Sequence, residues 1–99
     1  MPVRIQPSAK LDIKQGIRFY EEQETGVGRY FFDSISADIS SLNRLAGIHN
    51  RKGELFRFTA KRFPYWIYYR IEGDVAFVVG VLDARQDPVS ISNRVKGMQ

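Results

Sequence analysis

Apolar and polar residues alternate at the start of the chain and then change to helical spacing. Residues Val3–Gln6 alternate and stop at Pro7, which predicts a short strand at a sheet edge. After Pro7, apolar residues recur at intervals of four, four and three, so they share one face of a helix that ends before Thr25. This face consists of Ala9, Ile13, Ile17 and Tyr20. Gly16 lies within this helix, and we expect it to allow a close helix crossing.

A second helical pattern begins between Gly26 and Arg29 and ends before Gly47, a residue type common just past a helix end. Its apolar stripe, which Phe32 and Leu45 widen, consists of Phe31, Ile35, Ile39, Leu42 and Ala46. Only a few residues separate the two helices, so an antiparallel pair is predicted. An aromatic-rich stripe of this kind indicates core packing rather than a ligand site.

The second half of the chain changes to the period of two that is typical of strands. After a polar connection over residues 48–53, strands are predicted in residues 54–63, after Pro64, and over Val75–Leu82. The last of these is apolar on both faces, which is typical of a central strand. A short helix over Val89–Val95 follows, with Asp87 or Ser90 as its cap.

This order predicts one α+β domain over residues 1–99. An N-terminal strand and an antiparallel two-helix hairpin precede a three-stranded antiparallel meander, and all strands form one sheet covered on one face by the helices. The inward face of the meander would hold Phe56, Phe58, Ala60, Ile67, Tyr69 and Ile71. The outward, exposed face would hold Arg57, Thr59, Lys61, Trp66, Tyr68 and Arg70. Such an aromatic and basic surface suits base stacking and phosphate contact.

Charge is distributed unevenly along the chain. Residues 1–50 carry six basic and six acidic residues, whereas residues 51–99 carry nine basic and five acidic ones, which supplies the whole net charge of +4. A one-sided basic surface favours a polyanion or an acidic protein as partner. The chain has no cysteine, no apolar run of membrane-spanning length and no apolar segment near Met1, so we expect a cytoplasmic protein without a signal peptide.

Histidine, glycine and acidic residues occur without the spacing that common catalytic motifs require. His49 is the only histidine, and no partner for a hydrolytic triad or a zinc site surrounds it at the expected spacing. The run Gly26-Val27-Gly28 lacks the third glycine of a dinucleotide motif and follows a helix rather than a strand. Asp83 and Asp87 flank Arg85, which predicts an ion pair rather than a cation site. No metal site and no cofactor are predicted.

The basic residues of the second half could serve a metal-free ribonuclease. RNA cleavage needs a base for the 2′-hydroxyl, a proton donor for the leaving oxygen and cations for the strained phosphate. The candidate cations are Arg57, Lys61, Arg70 and Arg85. Because arginine stays protonated, the base would be Glu54, His49 or a tyrosine, and spacing does not distinguish them.

Two motifs in the predicted meander resemble a known toxin family. The first covers residues 62–71, from Arg62 to Ile71, and the second covers residues 81–88, from Val81 to Pro88. With the leading strand and the helical hairpin, they resemble the RelE/ParE superfamily of bacterial type II toxin–antitoxin systems over almost the whole chain. The resemblance implies a small α+β fold, a cognate antitoxin encoded alongside, and operator DNA bound only through the toxin–antitoxin complex.

Within this superfamily the motifs are closer to the ParE branch. RelE-like members cleave mRNA in the ribosomal A site, whereas ParE-like members poison DNA gyrase. The RelE-like pattern has an arginine after the tyrosine of the third-strand motif and a tyrosine six residues after the last-strand arginine, where this chain has Trp66 and Ile91. Arg85 matches the last-strand arginine, and Asp83 stands where the ParE branch commonly has histidine.

The resemblance therefore implies a toxin that inhibits growth by binding DNA gyrase, as plasmid-stabilisation toxins do, without a catalytic residue of its own. One alternative is a ribosome-dependent mRNA endoribonuclease using Arg85, Lys61 and Tyr68. Another is an inactive toxin fold that only binds a partner. The expected partners are the antitoxin and either gyrase or the ribosome with its mRNA, and no membrane is involved. The predicted contact residues are Arg57, Lys61, Arg62, Trp66, Arg70 and Arg85.

Overall fold

Five strands form one sheet, and helices pack on both of its faces. The computed structural model describes all residues, 1–99. The elements in chain order are β1 (Val3–Ile5), α1 (Pro7–Gln23), α2 (Val27–Ser40), α3 (Leu42–Leu45), β2 (Asn50–Lys52), β3 (Leu55–Thr59), β4 (Tyr65–Glu72), β5 (Val75–Asp83) and α4 (Pro88–Met98). The predicted α+β class, edge strand, helical hairpin and meander are confirmed. No helix combines the length and the apolar character needed to cross a membrane.

The strands lie in the order β1-β5-β4-β3-β2. Strand β1 pairs in parallel with β5, and the other neighbours are antiparallel. Strand β2 lies where a polar connection was predicted, so that prediction is wrong for residues 50–52. All three of its side chains are exposed, so its sequence shows no apolar alternation. Only its backbone pairing with β3 makes it a strand.

Helices α1 and α2 pack on one face of the sheet, which we call the hairpin face. Its core contains the predicted inward residues, and thirteen buried side chains form one cluster. A Cβ atom at Gly16 would lie 2.5 Å from the Phe31 ring, which confirms the predicted close crossing at this glycine. Phe32 does not widen the buried stripe as predicted, because it points to solvent and is 42% exposed.

The second predicted helix is interrupted at Ser41. The Ser41 hydroxyl donates to the backbone oxygen of Asp38 at 2.6 Å, and α3 begins only at Leu42. Serine side chains that bond to nearby backbone groups compete with regular helix geometry, which accounts for the break. Gly47 then adopts the left-handed conformation (φ 97°) expected of a residue just past a helix end.

Helix α4 covers part of the opposite face of the sheet, which we call the α4 face. It extends beyond the predicted Val89–Val95, and a second core cluster forms between it and the sheet from Leu55, Tyr68, Val79, Leu82 and Ile91. The prediction of a fully exposed outward face is therefore wrong for Tyr68, which is only 1% exposed. The spacing of Ile91, Val95 and Met98 produces the apolar stripe that makes this contact.

Polar side chains of α1 complete the edge of β5 beyond the end of β1. The Ser8 hydroxyl donates to the backbone oxygen of Val79, and the Val81 N–H donates to Asp12 Oδ2 at 3.0 Å. These bonds satisfy backbone groups that β1 is too short to reach. Asp12 also receives two hydrogen bonds from the Arg94 guanidinium, at 2.9 and 3.1 Å. This ion pair fixes α4 to α1 across the sheet edge.

Candidate functional site

A groove of about 520 Å³ runs between α4 and the outer strands on the α4 face, and we call it the α4 groove. Its lining residues from the sheet side include Lys52, Arg57, Trp66 and Tyr68, and those from α4 include Ile91, Ser92, Val95 and Lys96. The volume is within the range typical of small-molecule sites. The α4 groove is thus the concave feature that brings several sequence-predicted residues together.

Arg57 and Trp66 meet on the wall of this groove. The guanidinium carbon of Arg57 lies 4.0 Å from the centre of the Trp66 ring, in a cation–π contact. The two residues lie on neighbouring strands, since Arg57 pairs with Tyr68 and Thr59 pairs with Trp66. Arg57 has no carboxylate partner, so its charge is available to a ligand.

Three cations and no carboxylate side chain line the groove. Lys52 and Lys96 accompany Arg57, and none of the three side chains takes part in an ion pair. Lys52 and Lys96 were not predicted as site residues, because they lie in β2 and in the C-terminal half of α4. The first element was not predicted, and the second was predicted to end at Val95.

Lys61 and Arg62 lie in the exposed loop between β3 and β4. A backbone hydrogen bond holds the loop to α2, since the Lys61 N–H donates to Asp38 Oδ2 at 3.1 Å. Neither side chain forms an ion pair. These two predicted contact residues are therefore free cations at one end of the sheet, and they are not among the residues that line the α4 groove.

Arg70 and Arg85, the other predicted contact residues, are both held by carboxylates. Arg70 pairs with Glu72 on the same strand. Arg85 binds both oxygens of Asp83, at 3.0 and 2.8 Å, and this hydrogen bonding holds the pKa of Asp83 below its usual value. The ion pair predicted for this part of the chain is confirmed, with Asp83 as the partner.

Arg85 extends toward the hairpin face of the sheet. Its guanidinium donates to the Tyr20 hydroxyl of α1 at 3.2 Å. The neighbouring Tyr65 is buried in the hairpin-face core, and this burial, with Asp83 nearby, raises the pKa of Tyr65 to about 12. Tyr68 lies in the other cluster, beneath α4. Arg85 thus contacts a residue of the hairpin face, whereas Tyr68 belongs to the cluster of the α4 face.

His49 packs against aromatic residues of the sheet. Its ring stacks on Phe58, with the ring centres 4.4 Å apart, and its Nδ1 lies 2.6 Å from the Tyr69 hydroxyl. That hydroxyl also accepts the Gly47 N–H at 2.9 Å. Burial lowers the pKa of His49 and so favours its neutral form. No group of three or more histidine, cysteine or acidic residues is placed to hold a metal ion.

Comparison with known proteins identifies the family. The sequence profile of the ParE toxin of the type II toxin–antitoxin system parDE matches residues 3–88. No curated protein sequence matches the chain significantly. A solved structure described as the chromosomal ParDE toxin–antitoxin system from P. aeruginosa contains a chain similar in fold, with a TM-score of 0.78 and 13% identity. That match covers 86% of this chain and 97% of the other. Because the profile covers most of its length, the chain belongs to the ParE toxin family of type II toxin–antitoxin systems.

Proposed function

We propose that this toxin acts in the cytoplasm by binding and poisoning DNA gyrase, that a co-encoded antitoxin neutralises it, and that it performs no catalysis itself. Membership of the ParE family supports this proposal over cleavage of mRNA. The antitoxin would neutralise part of the net charge of +4, so its binding segment should be acidic.

The observation that carries the proposal is the separation of the groups that a ribonuclease would require. Arg85 is bound by Asp83 and by Tyr20 on the hairpin face, whereas Tyr68 lies beneath α4. A general acid or base must come within about 3 Å of the proton it transfers, directly or through one water. These positions do not favour a catalytic site built from Arg85 and Tyr68, and a binding role requires no such assembly.

Lys61 and Arg62 are the residues best placed to contact gyrase. They are exposed and unpaired, and they lie on a loop whose backbone is anchored to α2 through Asp38. Arg70 and Arg85 would first have to leave their carboxylate partners. We therefore expect Lys61 and Arg62 to contribute more to target binding than Arg70 and Arg85, with charge attraction accelerating association.

Two assays on the purified protein distinguish the alternatives. One measures supercoiling and DNA cleavage by gyrase, and the other maps mRNA ends by primer extension in a translation extract. We expect gyrase-dependent DNA breaks with intact mRNA. Codon-positioned mRNA cuts without DNA breaks would support the ribonuclease alternative and contradict the proposal. No growth arrest on induction and no effect in either assay would indicate an inactive toxin fold.

A matched pair of double variants tests the contact surface. Lys61→Met with Arg62→Met should weaken gyrase poisoning about tenfold or more, because two desolvated charge contacts are lost. Lys10→Met with Lys14→Met removes the same charge from the exposed side of α1 and should change poisoning by less than about threefold. Equal losses in the two double variants would show that only the net charge matters, and would remove the loop from the contact surface.

A further inference from the structure

The hydroxyl of Tyr68 is an unused polar group in the α4 groove. Tyr68 is 99% buried, yet its hydroxyl forms no hydrogen bond within the chain. Ser34 Oγ is the only side-chain polar atom that is fully enclosed and has no hydrogen-bond partner. The Tyr68 hydroxyl is therefore not fully enclosed, and it keeps contact with the groove that Tyr68 lines. A buried side chain with an open hydroxyl is suited to donate a hydrogen bond to a ligand.

The charge of the groove indicates an anion with more than one negative charge. Lys52, Arg57 and Lys96 line it without an aspartate or glutamate among the lining residues. A phosphate monoester carries between one and two negative charges at neutral pH and has three acceptor oxygens. Three cations and a tyrosine hydroxyl suit the charge and the three acceptor oxygens of a phosphate better than the single charge of a carboxylate.

The stacked pair formed by Arg57 and Trp66 indicates that the phosphate-bearing ligand also has an aromatic ring. Nucleobases stack on aromatic rings and on arginine guanidinium planes, and this pair offers both within 4.0 Å of each other. The floor of the groove is β4, whose backbone is already paired with β3 and β5. An extended acidic peptide on this floor would find no free strand edge for its own backbone, since the free edge nearest the groove is the outer edge of β2.

Both ends of the groove are restricted by the connections of α4. At one end the chain itself passes from Ala84 to Pro88, and both residues line the groove. At the other end the Gln99 side chain accepts the Glu54 N–H at 2.9 Å, which joins the end of α4 to the turn between β2 and β3. A polynucleotide that ran along the groove would meet these connections at its ends, whereas a single nucleotide would not.

From these observations we propose that the α4 groove binds a free nucleoside 5′-phosphate. The phosphate contacts Lys52, Lys96 and the Tyr68 hydroxyl, and the base stacks against the pair formed by Arg57 and Trp66. The site is separate from the loop of Lys61 and Arg62, so its existence does not depend on gyrase as the target. A nucleotide bound there would tie α4 to β2 and β3 and would stabilise the folded toxin.

Trp66 provides a direct readout, because it is the only tryptophan of the chain. The experiment titrates the full chain with AMP, adenosine, inorganic phosphate, an adenine oligonucleotide and a glutamate-rich peptide, and follows Trp66 fluorescence. We expect saturable quenching by AMP, with binding of adenosine or phosphate alone weaker by about tenfold or more. No saturable change with AMP up to about 5 mM would overturn the proposal. Tighter binding of the oligonucleotide or of the peptide would also overturn it.

Two variants and a matched control identify the site. Arg57→Met should weaken AMP binding about tenfold, and Tyr68→Phe should weaken it about threefold by loss of one hydrogen bond. Arg70→Met makes the same charge change on β4 outside this groove and should leave AMP affinity unchanged. Circular dichroism checks that each variant is folded. Unchanged affinity in both folded groove variants, or an equal loss in Arg70→Met, would contradict the assignment to the α4 groove.

Discussion

The two faces of the sheet are built differently. The hairpin face joins α1, α2 and the strands in a cluster of thirteen buried residues, with aromatic rings such as Phe31 and Tyr65 in edge contact at 4.9 Å. The α4 face has a cluster of five buried residues beneath a single helix of eleven residues. The difference indicates that the hairpin face supplies most of the stability, whereas the α4 face leaves room for a ligand beside its thinner core.

The largest expected effect comes from matched cavity variants on the two faces. Ile35 of α2 is completely buried, and Ile91 of α4 is 8% exposed. Ile35→Ala should lower the free energy of unfolding by about 4 kcal/mol, and Ile91→Ala by about 2 kcal/mol, because the thinner layer under α4 can relax into the space. Urea denaturation measures both values. A larger loss for Ile91→Ala would reverse the ranking of the two faces.

Two glycine substitutions should have effects of opposite sign. Ala at Gly16 would place its Cβ 2.5 Å from the Phe31 ring, so Gly16→Ala should destabilise the fold by about 1–3 kcal/mol. Gly97 lies in α4 with nothing within 4 Å of its Cβ position, so Gly97→Ala should stabilise the fold by up to about 1 kcal/mol. Thermal unfolding of the two variants provides the test. If both variants lower the melting temperature, the space around the Cβ position of Gly97 is not free in solution.

The ion pair between Arg94 and Asp12 should control how firmly α4 is held. Arg94→Met leaves the carboxylate of Asp12, whose side chain is 6% exposed, with only the Val81 N–H. We expect a loss of about 1–2 kcal/mol and faster hydrogen exchange in α4 than in α1. Arg29→Met removes an exposed pair with Asp33 and should cost less than about 0.5 kcal/mol. Uniform faster exchange across both helices would show that Arg94 acts on the whole fold.

The smallest effect concerns the pH dependence contributed by Asp83. Its hydrogen bond with Arg85 lowers the pKa of Asp83 in the folded state, so the contribution to stability is present above the unfolded pKa, near pH 4, and is lost as the pH falls through the folded value. Since Arg85 is half exposed, Arg85→Met should remove less than about 1 kcal/mol at pH 7. Below the folded pKa of Asp83 the variant and the original chain should converge in stability. A difference that grows with acidity would contradict this linkage.

The sequence predicted the hairpin face better than the α4 face, for a physical reason. Ile35 and Phe31 belong to a long helical stripe, and Ile67 and Tyr69 to strands with clear alternation or strong β propensity, so local pattern and tertiary packing agree there. Residues 50–52 form a strand only through pairing with β3, which no local pattern records. The burial of Tyr68 depends on where α4 returns to the sheet, and chain order alone did not determine that contact.

In the candidate site, too, the sequence predicted the residues with a clear local pattern and missed those that depend on tertiary contacts. Arg57 and Trp66 were predicted to share one face of the sheet, and the structure brings them into contact. Lys52 and Lys96 were missed because their elements were missed or shortened. The pairing of Arg70 with Glu72 depends on side-chain rotamers that the sequence did not specify.

We propose that this member of the ParE family poisons gyrase by binding and does not cut RNA. The most direct measurement incubates the purified chain with gyrase and supercoiled plasmid, traps cleaved complexes with detergent and protease, and quantifies linear DNA. The account predicts that linear DNA increases with toxin concentration, only when gyrase is present, and that the double variant Lys61→Met, Arg62→Met requires about tenfold more protein. Absence of linear DNA at saturating toxin, together with codon-positioned mRNA cuts in a translation extract, would contradict it.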